Sequence, residues 1–440
     1  MPSCYLWGGM IGSAIFALSS TTGMLAGPSS ALAWAMAGVL MLLIALNFAE
    51  LGTAFPYAGG VYVYPMETYG HNRTVRIFGS FLAGWTCLIG QGIGVAFSAM
   101  FLGSYLNPLI PGATDYAILI GAVILTFAFV INALGIYLTG KTNLVLTLIL
   151  IVTLLAFSIR GIPAITLANF KPFFASGSWG FLQAIPVASC GFGAWMAIVA
   201  AAEEVRNPSR DIPRALIYSL ILAIVICVLV QVAIFGTTKW TNFTPTNEFA
   251  YFAPLSFAAA QFAPGSKWME TMISVGGTVA LVTTIIALMV ICSRVLMAMG
   301  RDGLFPSVFG YINPKTKAPL VSLGIVYGIS MIVNCFPQYI FKIIIIGAVC
   351  RSTSFALGLL SEIFLRVFRK DVKPPFRLPG GLTIPIISLA ALAILTINVG
   401  LLEVEASLTA IAIGIAYFFC RYASKTGIFS ERSTILRDNG

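Results

Sequence analysis

Long apolar runs alternate along this chain with short connections that contain glycine, proline or charged residues. A helix needs about 20 residues to cross the roughly 30 Å hydrocarbon core of a bilayer, and the apolar runs are close to this length. The pattern predicts twelve membrane-spanning helices, numbered one to twelve in chain order, near residues 5–26, 30–54, 77–106, 116–139, 142–159, 179–201, 214–236, 268–298, 319–336, 339–361, 382–401 and 406–421. The expected fold class is therefore an all-α integral membrane protein.

Positive charge is divided unevenly between the two sets of connections. If the N-terminus lies inside, the loops and tail on that side hold 19 Lys and Arg, and the loops on the other side hold 4. Cytoplasmic loops carry such an excess, so we expect a multi-pass protein of the plasma membrane with both termini in the cytoplasm and residues 422–440 as a cytoplasmic tail. The formal net charge of +10 then faces the lipid bilayer, and no nucleic acid partner is predicted.

Composition narrows the classes of function. The chain is 59% apolar and 9% charged, whereas soluble domains carry about 25% charged residues, so multidomain soluble enzymes are excluded. His71 is the only histidine, which excludes two-His metal sites and most Ser-His-Asp hydrolases. The eight cysteines lack the spacing of metal sites or disulfide frameworks, and the sequence has no ATPase motif. We expect no enzymatic activity, no cofactor and no metal.

Two predicted spans contain glycine clusters near mid-depth. Residues 8–16 in span one read GGMIGSAIF, and residues 188–195 in span six read ASCGFGAW. Glycine lets a helix unwind, and irregular backbone is tolerated in a bilayer only where it lines a cavity. Two such breaks, five spans apart, are typical of the discontinuous helices of secondary transporters. The two breaks would each lie in the first helix of one half of the chain.

The two breaks offer complementary partial charges to a solute. N–H groups at the first break would face a carboxylate, and carbonyl groups at the second would face an ammonium. An aromatic ring at the second break could cover the solute, although helix packing or a position at the membrane interface explains Trp195 equally well. The predicted substrate-contacting residues are Met10, Ile11, Gly12, Ser13, Ala14, Cys190, Gly191, Phe192, Gly193 and Trp195.

Five motifs, in order along the chain, resemble those of the amino acid/polyamine/organocation (APC) superfamily of permeases. They lie at residues 9–16, at 27–28 with 49–51 and 55–64, and at 203–214, 293–306 and 373–380. The resemblance implies ten core helices in two inverted five-helix repeats, at residues 1–160 and 179–361, and two peripheral helices at 382–421. It also implies alternating access and amino acid or amine substrates. The span-six break is most similar to that of the L-type amino acid exchangers. This likeness implies that Cys190, Gly191 and Gly193 hold the amine and that Phe192 gates the pocket.

Three positions depart from the pattern of that superfamily. Ala14 stands where the last glycine of the first break is expected, and its methyl group favours a small or shifted solute headgroup. Met196 replaces an acidic residue of some members, so the site lacks a fixed negative charge for a cationic side chain. Leu150 stands in place of the lysine of proton-coupled members, so proton symport through that residue is not expected.

Five further residues are candidates for coupling or gating. Arg351, near mid-depth of span ten, either faces the bundle and biases one access state or pairs with a carboxylate on a neighbouring helix. Thr283 and Thr284 in span eight are candidate sodium ligands, although Thr hydroxyls in apolar helices more often bond a carbonyl one turn earlier. Glu203 and Glu204 begin a loop that is either a solvated connector or a set of inward-face salt bridges that break on opening. The coupling ion stays open.

The sequence as a whole predicts a secondary active transporter that moves an amino acid by alternating access, as an antiporter or a symporter. Two alternatives remain: a polyamine or alkanolamine carrier, and a membrane receptor that binds a solute without moving it. The expected partners are a small solute and the lipid bilayer.

Overall fold

The computed structural model describes residues 13–70, 72–396 and 401–423. All regular structure in these ranges is helical. The α-helices are α1 Ala14–Ala17, α2 Ser19–Ala26, α3 Ser30–Ala54, α4 Val63–Thr68, α5 Arg73–Met100, α6 Leu102–Leu106, α7 Ala117–Ala133, α8 Ile136–Gly161, α9 Gly177–Ser189, α10 Met196–Ala200, α11 Pro208–Thr237, α12 Glu248–Phe252, α13 Pro254–Phe262, α14 Lys267–Arg301, α15 Leu320–Asn334, α16 Ile340–Phe368, α17 Thr383–Ile394 and α18 Leu401–Ala423.

Several of these helical segments are long and apolar enough to cross a membrane. Within the described ranges there are seven, namely Ser19–Ala54, Arg73–Leu106, Ile136–Ala164, Gly177–Ala200, Pro208–Thr237, Lys267–Arg301 and Ile346–Phe368. Three shorter apolar helices are α7, α15 and α17. The predicted all-α, multi-pass membrane fold is therefore confirmed.

Helix boundaries follow local signals in the sequence. Gly27 has a φ of +61° and separates α2 from α3, so the run Ser19–Ala54 contains two of the predicted spans. Asn72 caps α5, since its side chain accepts hydrogen bonds from the N–H groups of Thr74 and Val75. Pro208 opens α11, where a missing N–H costs no hydrogen bond.

Two parts of the architecture differ from the sequence-based prediction. Span four ends at Ala133 instead of near residue 139 because Gly135, with a φ of +106°, breaks the helix. A Cβ at Gly135 would lie 2.5 Å from the carbonyl oxygen of Thr316, so only glycine fits there. The short helices α12 and α13 lie between spans seven and eight, where the sequence predicted only a connection.

The helices pack in pairs that correspond between the two halves of the chain. The most extensive contacts join α3 to α11, α5 to α16, α5 to α14, and α8 to α14. If α3, α5 and α8 are matched with α11, α14 and α16, the pair α5–α16 corresponds to the pair α14–α8. The pairs α3–α11 and α5–α14 each correspond to themselves. Helix α14 lies at the centre, and every residue from Ala280 to Gly300 is buried. The core of the protein therefore surrounds α5, α14 and α16.

Candidate substrate-binding site

A cavity lies where five helical segments meet. The start of α1, helices α5, α14 and α16, and the segment after α9 form the wall. The lining residues are Ser13, Ala14, Leu18, Gly90, Gln91, Ile93, Gly94, Phe97, Ser98, Cys190, Gly193, Ala194, Thr284, Leu288, Ile344, Gly347, Ala348 and Arg351.

The sixth span is irregular at the predicted position, but its geometry differs from the expectation. Helix α9 ends at Ser189, Cys190–Trp195 form a 3-10 helix, and α10 follows with five residues. The chain is therefore tightened into a 3-10 helix instead of being unwound as predicted. Pro186 inside α9 removes one α-helical hydrogen bond, the bond from its own position back to Leu182.

The first break is described only from Ser13 onward, and Met10, Ile11 and Gly12 lie outside the described residues. Ser13 and Ala14 line the cavity. The N–H of Ser13, which the sequence predicted to be free, donates to the hydroxyl oxygen of Thr284 over 3.0 Å. The Ser13 hydroxyl lies 3.3 Å from that of Ser98. Hydroxyl groups from three different helical segments therefore meet at this side of the cavity.

The two neighbouring threonines of α14 have different positions. Thr284 lines the cavity and, besides accepting from Ser13, donates to the carbonyl of Ala280 over 2.8 Å. Thr283 is fully buried, donates to the same carbonyl over 2.9 Å and does not line the cavity. The common role of bonding to the preceding turn therefore applies to both, and Thr284 alone also faces the cavity.

Phe192 and Trp195 are not among the cavity-lining residues, which corrects their predicted placement. Both rings are fully buried. Phe192 packs edge-on against Trp34 with ring centroids 5.9 Å apart. Trp195 lies between Phe48 and Phe355, at centroid distances of 5.1 and 5.4 Å. These contacts hold the rings on the far side of the 3-10 segment, where they anchor it to α3 and α16.

The glycines beside these rings have distinct roles. A Cβ at Gly191 would lie 2.6 Å from the Trp34 ring and 3.6 Å from Cβ of Ala14. Gly191 therefore permits close packing and does not face the cavity. Gly193 does line the cavity, and a Cβ there would lie 3.9 Å from both Cδ and Nη1 of Arg351.

Arg351 is the charged residue of the cavity wall. Its Nη2 donates to the Sγ of Cys190 over 3.0 Å, and the side chain is half-buried. Among the ion pairs found in the described part of the chain, none includes Arg351. Of the two alternatives raised by the sequence, the structure thus places Arg351 toward the bundle and shows no carboxylate partner on the described residues of neighbouring helices.

Spans three and eight contribute residues that the sequence reasoning missed. Gln91, Phe97 and Ser98 of α5 and Leu288 of α14 line the cavity. Gln91 and Ser98, two of the polar residues of this largely apolar span, were the available signal in α5. The Nε2 of Gln91 donates to the Sδ of Met196 over 3.0 Å, so the residue that replaces the acidic group of some APC members is held by a side chain of the cavity wall.

A group of ion pairs lies beyond the cavity at one end of the bundle. Glu204 pairs with Arg294 at 3.0 Å, and Glu203 pairs with Arg301 at 3.3 Å. Arg294 follows Thr284 by ten residues on α14, which corresponds to about 15 Å along the helix. The Arg294 side chain is only 1% exposed. These ion pairs therefore hold the loop after span six against α14, beginning about 15 Å along the helix from Thr284.

The loop before α4 joins the same region. The N–H of Ala58 donates to Oε2 of Glu203 over 3.3 Å, and the N–H of Gly59 donates to the carbonyl of Ala200 over 3.0 Å. Gly59 and Gly60 both have positive φ, which explains the glycine pair in this motif. The loop thereby covers the end of α10.

A second charged cluster ties two of the sequence motifs together. Arg366 bonds to Glu50 and, at 2.6 Å, to Glu362. Glu50 also accepts from the N–H of Leu378 over 2.8 Å. All three charged side chains are at most 5% exposed. The cluster therefore fastens α3, α16 and the loop near residue 378 to one another. No group of three His, Cys, Asp or Glu suited to a metal ion occurs within the described ranges.

Comparison with known proteins agrees with this architecture. The sequence profile of the amino acid permease family matches residues 3–418, which is nearly the whole chain. The chain belongs to this family. The membership confirms the resemblance to APC permeases that the five motifs indicated.

Relatives of this permease carry different names. The branched-chain amino acid permease of Bacillus subtilis is 26% identical over 94% of this chain and 90% of its own length. The methylthioribose transporter of the same organism is 28% identical, covering 87% of this chain and 83% of the relative. The aspartate-proton symporter, also from Bacillus subtilis, is 28% identical and covers 85% and 73%.

Proposed function

We propose that this permease is a secondary transporter that moves an amino acid across the plasma membrane by alternating access. The observation that carries the proposal is the cavity between the start of α1, the irregular segment Cys190–Trp195 and helices α5, α14 and α16. Irregular backbone inside a bundle is the usual setting of solute sites in such transporters. Family membership and the names of the relatives support an amino acid as the solute.

The polar groups of the cavity suit an amino acid. The hydroxyls of Ser13, Ser98 and Thr284 offer neutral hydrogen-bonding groups for its headgroup, and the guanidinium of Arg351 offers a cation for a further acidic group. We propose that the solute lies among these groups, in contact with Ala14, Cys190 and Gly193. Phe97 and Leu288 then contact its apolar part.

The chain organisation that we propose is two inverted repeats at residues 1–160 and 179–361, followed by a peripheral pair at 382–421. The correspondence of the pairs α5–α16 and α14–α8 supports this division. Alternating access then consists of movement of one group of helices against the other around the cavity. Both termini are proposed to be cytoplasmic, on the basis of the Lys and Arg distribution.

The ion pairs of Glu203 and Glu204 are proposed to close the cytoplasmic side of the cavity. They join the loop after span six to α14, and the loop that contains Ala58 bonds to the same carboxylate. An inward-open state requires these contacts to separate. Ion pairs that break and re-form between states are a common switching device.

The same cavity argues against the polyamine and alkanolamine alternative. The charged side chain among the described lining residues is Arg351, and no carboxylate lies in that part of the wall. An amine without a carboxylate would place a second positive charge beside the guanidinium, in surroundings of low dielectric constant.

Counterflow in proteoliposomes tests the proposed function. Purified protein is reconstituted into liposomes loaded with one unlabelled amino acid, and accumulation of the labelled form is followed across a panel of amino acids and amines. We expect accumulation of at least one amino acid and none of putrescine or ethanolamine, with protein-free liposomes as the control. Binding without flux would favour a receptor, and accumulation of the amines alone would contradict the proposal.

A further inference from the structure

The cavity wall contains a cation that the protein leaves without a counter-ion in its described part. The guanidinium of Arg351 contacts a thiol, Cys190 Sγ at 3.0 Å. A thiol is a weak hydrogen-bond acceptor and does not neutralise a positive charge. Other buried arginines of this chain, Arg294 and Arg366, each have a carboxylate within 3.0 Å. Arg351 therefore differs from them in having its charge directed at a cavity.

The remaining wall does not compensate this charge. The other polar side chains that line it are the hydroxyls of Ser13, Ser98 and Thr284, the amide of Gln91 and the thiol of Cys190. All of these are neutral groups. The fixed charge of the described wall is therefore +1. Charges at mid-depth in a membrane are costly unless they are paired, and they mark substrate or ion pathways.

We propose that the transported solute is an acidic amino acid, whose side-chain carboxylate binds the guanidinium of Arg351; this rests on the transport function proposed above. A zwitterion with one additional carboxylate has a net charge of −1 and brings the occupied cavity to neutrality. A neutral amino acid leaves the positive charge uncompensated, and a basic amino acid adds to it. Arginine also presents parallel N–H donors that match a carboxylate.

The position of Arg351 makes it a specificity-determining residue. Its Cδ and Nη1 lie 3.9 Å from the place a Cβ at Gly193 would occupy, so the guanidinium lies across the open face of the 3-10 segment. Even a Cβ at this position would only be in ordinary van der Waals contact with the guanidinium, so this side of Arg351 is open to a solute carboxylate. Met196 stands where some family members have an acidic residue. It likewise leaves the guanidinium available to the solute, because no fixed negative charge competes for it.

Isosteric solutes test this proposal most sharply. Aspartate and asparagine, like glutamate and glutamine, have nearly the same shape and differ in charge. Thermal stabilisation of the purified protein and counterflow in proteoliposomes are measured for these four solutes, with leucine and lysine added. We expect each acid to half-saturate at a concentration about tenfold or more below that of its amide, and lysine to have no effect.

Variants assign the preference to Arg351. R351Q should reduce the acid-to-amide ratio to about one, and R351K should retain part of the preference, since an ammonium keeps the charge but loses the paired N–H donors. R160Q is the matched control, because it removes the same charge from an exposed position at the end of α8 and should leave the ratio unchanged. If R351Q does not purify as a monodisperse protein, the acid-to-amide ratios of the wild type and of R351K test the proposal.

The outcomes separate this inference from the proposed function. Flux of leucine or of the amides equal to or above that of the acids would overturn the inference while amino acid transport stands. An acid preference that persists in well-folded R351Q would also overturn it. Failure of every amino acid to bind or move would overturn both.

Discussion

The contact between α5 and α16 at Gly90 offers the sharpest structural prediction. A Cβ at this position would lie 2.7 Å from the backbone nitrogen of Arg351 and 2.9 Å from its Cα. Ordinary contacts begin at 3.4 Å, so Gly90→Ala requires the helices to separate by about 0.7 Å, the difference between 3.4 and 2.7 Å. The atoms that must move belong to the backbone, which cannot avoid the clash by rotating a side chain.

Overpacking of this kind typically costs about 1–3 kcal/mol. Because the clash is with Arg351 itself, the separation also moves the guanidinium relative to Cys190 and Gly193. We therefore expect Gly90→Ala to lower the melting temperature of the detergent-purified protein and to raise the KM for counterflow. Both quantities are measured on the same preparation.

Gly92 provides a matched control on the same helix. No heavy atom lies within 4 Å of a Cβ placed there, and replacing a mid-helix glycine by alanine stabilises a helix by roughly 0.5–1 kcal/mol. Gly92→Ala should leave the KM unchanged and keep or raise the melting temperature. Equal behaviour of the two variants would refute the reasoning, because it would mean that α5 does not approach α16 at Gly90.

Three other substitutions test separate parts of the structure. Gly193→Ala should preserve transport. Gly193→Leu projects a larger side chain into the cavity and should abolish counterflow without lowering the melting temperature. Equal fluxes in the two variants would contradict the cavity's role. Glu204→Gln should speed labelling of Cys190 in the cavity by a membrane-impermeant thiol reagent added from the cytoplasmic side. The increase should exceed that of Glu203→Gln, because the Glu203 side chain is 49% exposed and the Glu204 side chain 25%. Equal labelling rates in both variants would count against the gate. Glu50→Ala should lower the melting temperature, since removing one partner of a buried ion pair costs about 3–5 kcal/mol; an unchanged melting temperature would show that Arg366 does not need this carboxylate.

The broad architecture was predictable because the hydropathy of a span, and the residues that end it, are properties of neighbouring residues in the sequence. Apolar runs, glycine turns and helix caps are readable from neighbouring residues, and spans two to ten coincide with helices or helical segments. The end of span four was predicted too late, although Gly135 was visible in the sequence. Its φ of +106° is dictated by the approach of Thr316, which lies far away along the chain.

The site was predictable in part. The glycine clusters drew attention to Ser13, Ala14, Cys190 and Gly193, which line one cavity, and their contact with a solute stays a prediction. The orientation of the aromatic rings was not predictable, because Trp195 faces Phe48 and Phe355 from other spans.

Contributions from the other spans also depend on tertiary contacts. Gln91 and Ser98 are polar residues in an apolar helix, and only the helix packing determines that their side of α5 faces the cavity. The irregular geometry at residues 190–195 had a local signal in Gly191 and Gly193, because glycine weakens a regular helix.

Protection of Cys190 from alkylation is the most direct test that the cavity binds the transported solute. Its Sγ contacts Arg351 in the cavity wall, and its modification can be followed by peptide-resolved mass spectrometry, with the exposed Cys335 and Cys420 as internal controls. We expect the transported amino acid to slow modification of Cys190 alone, with half-protection near the KM for counterflow. An unchanged rate at saturating solute would contradict the account.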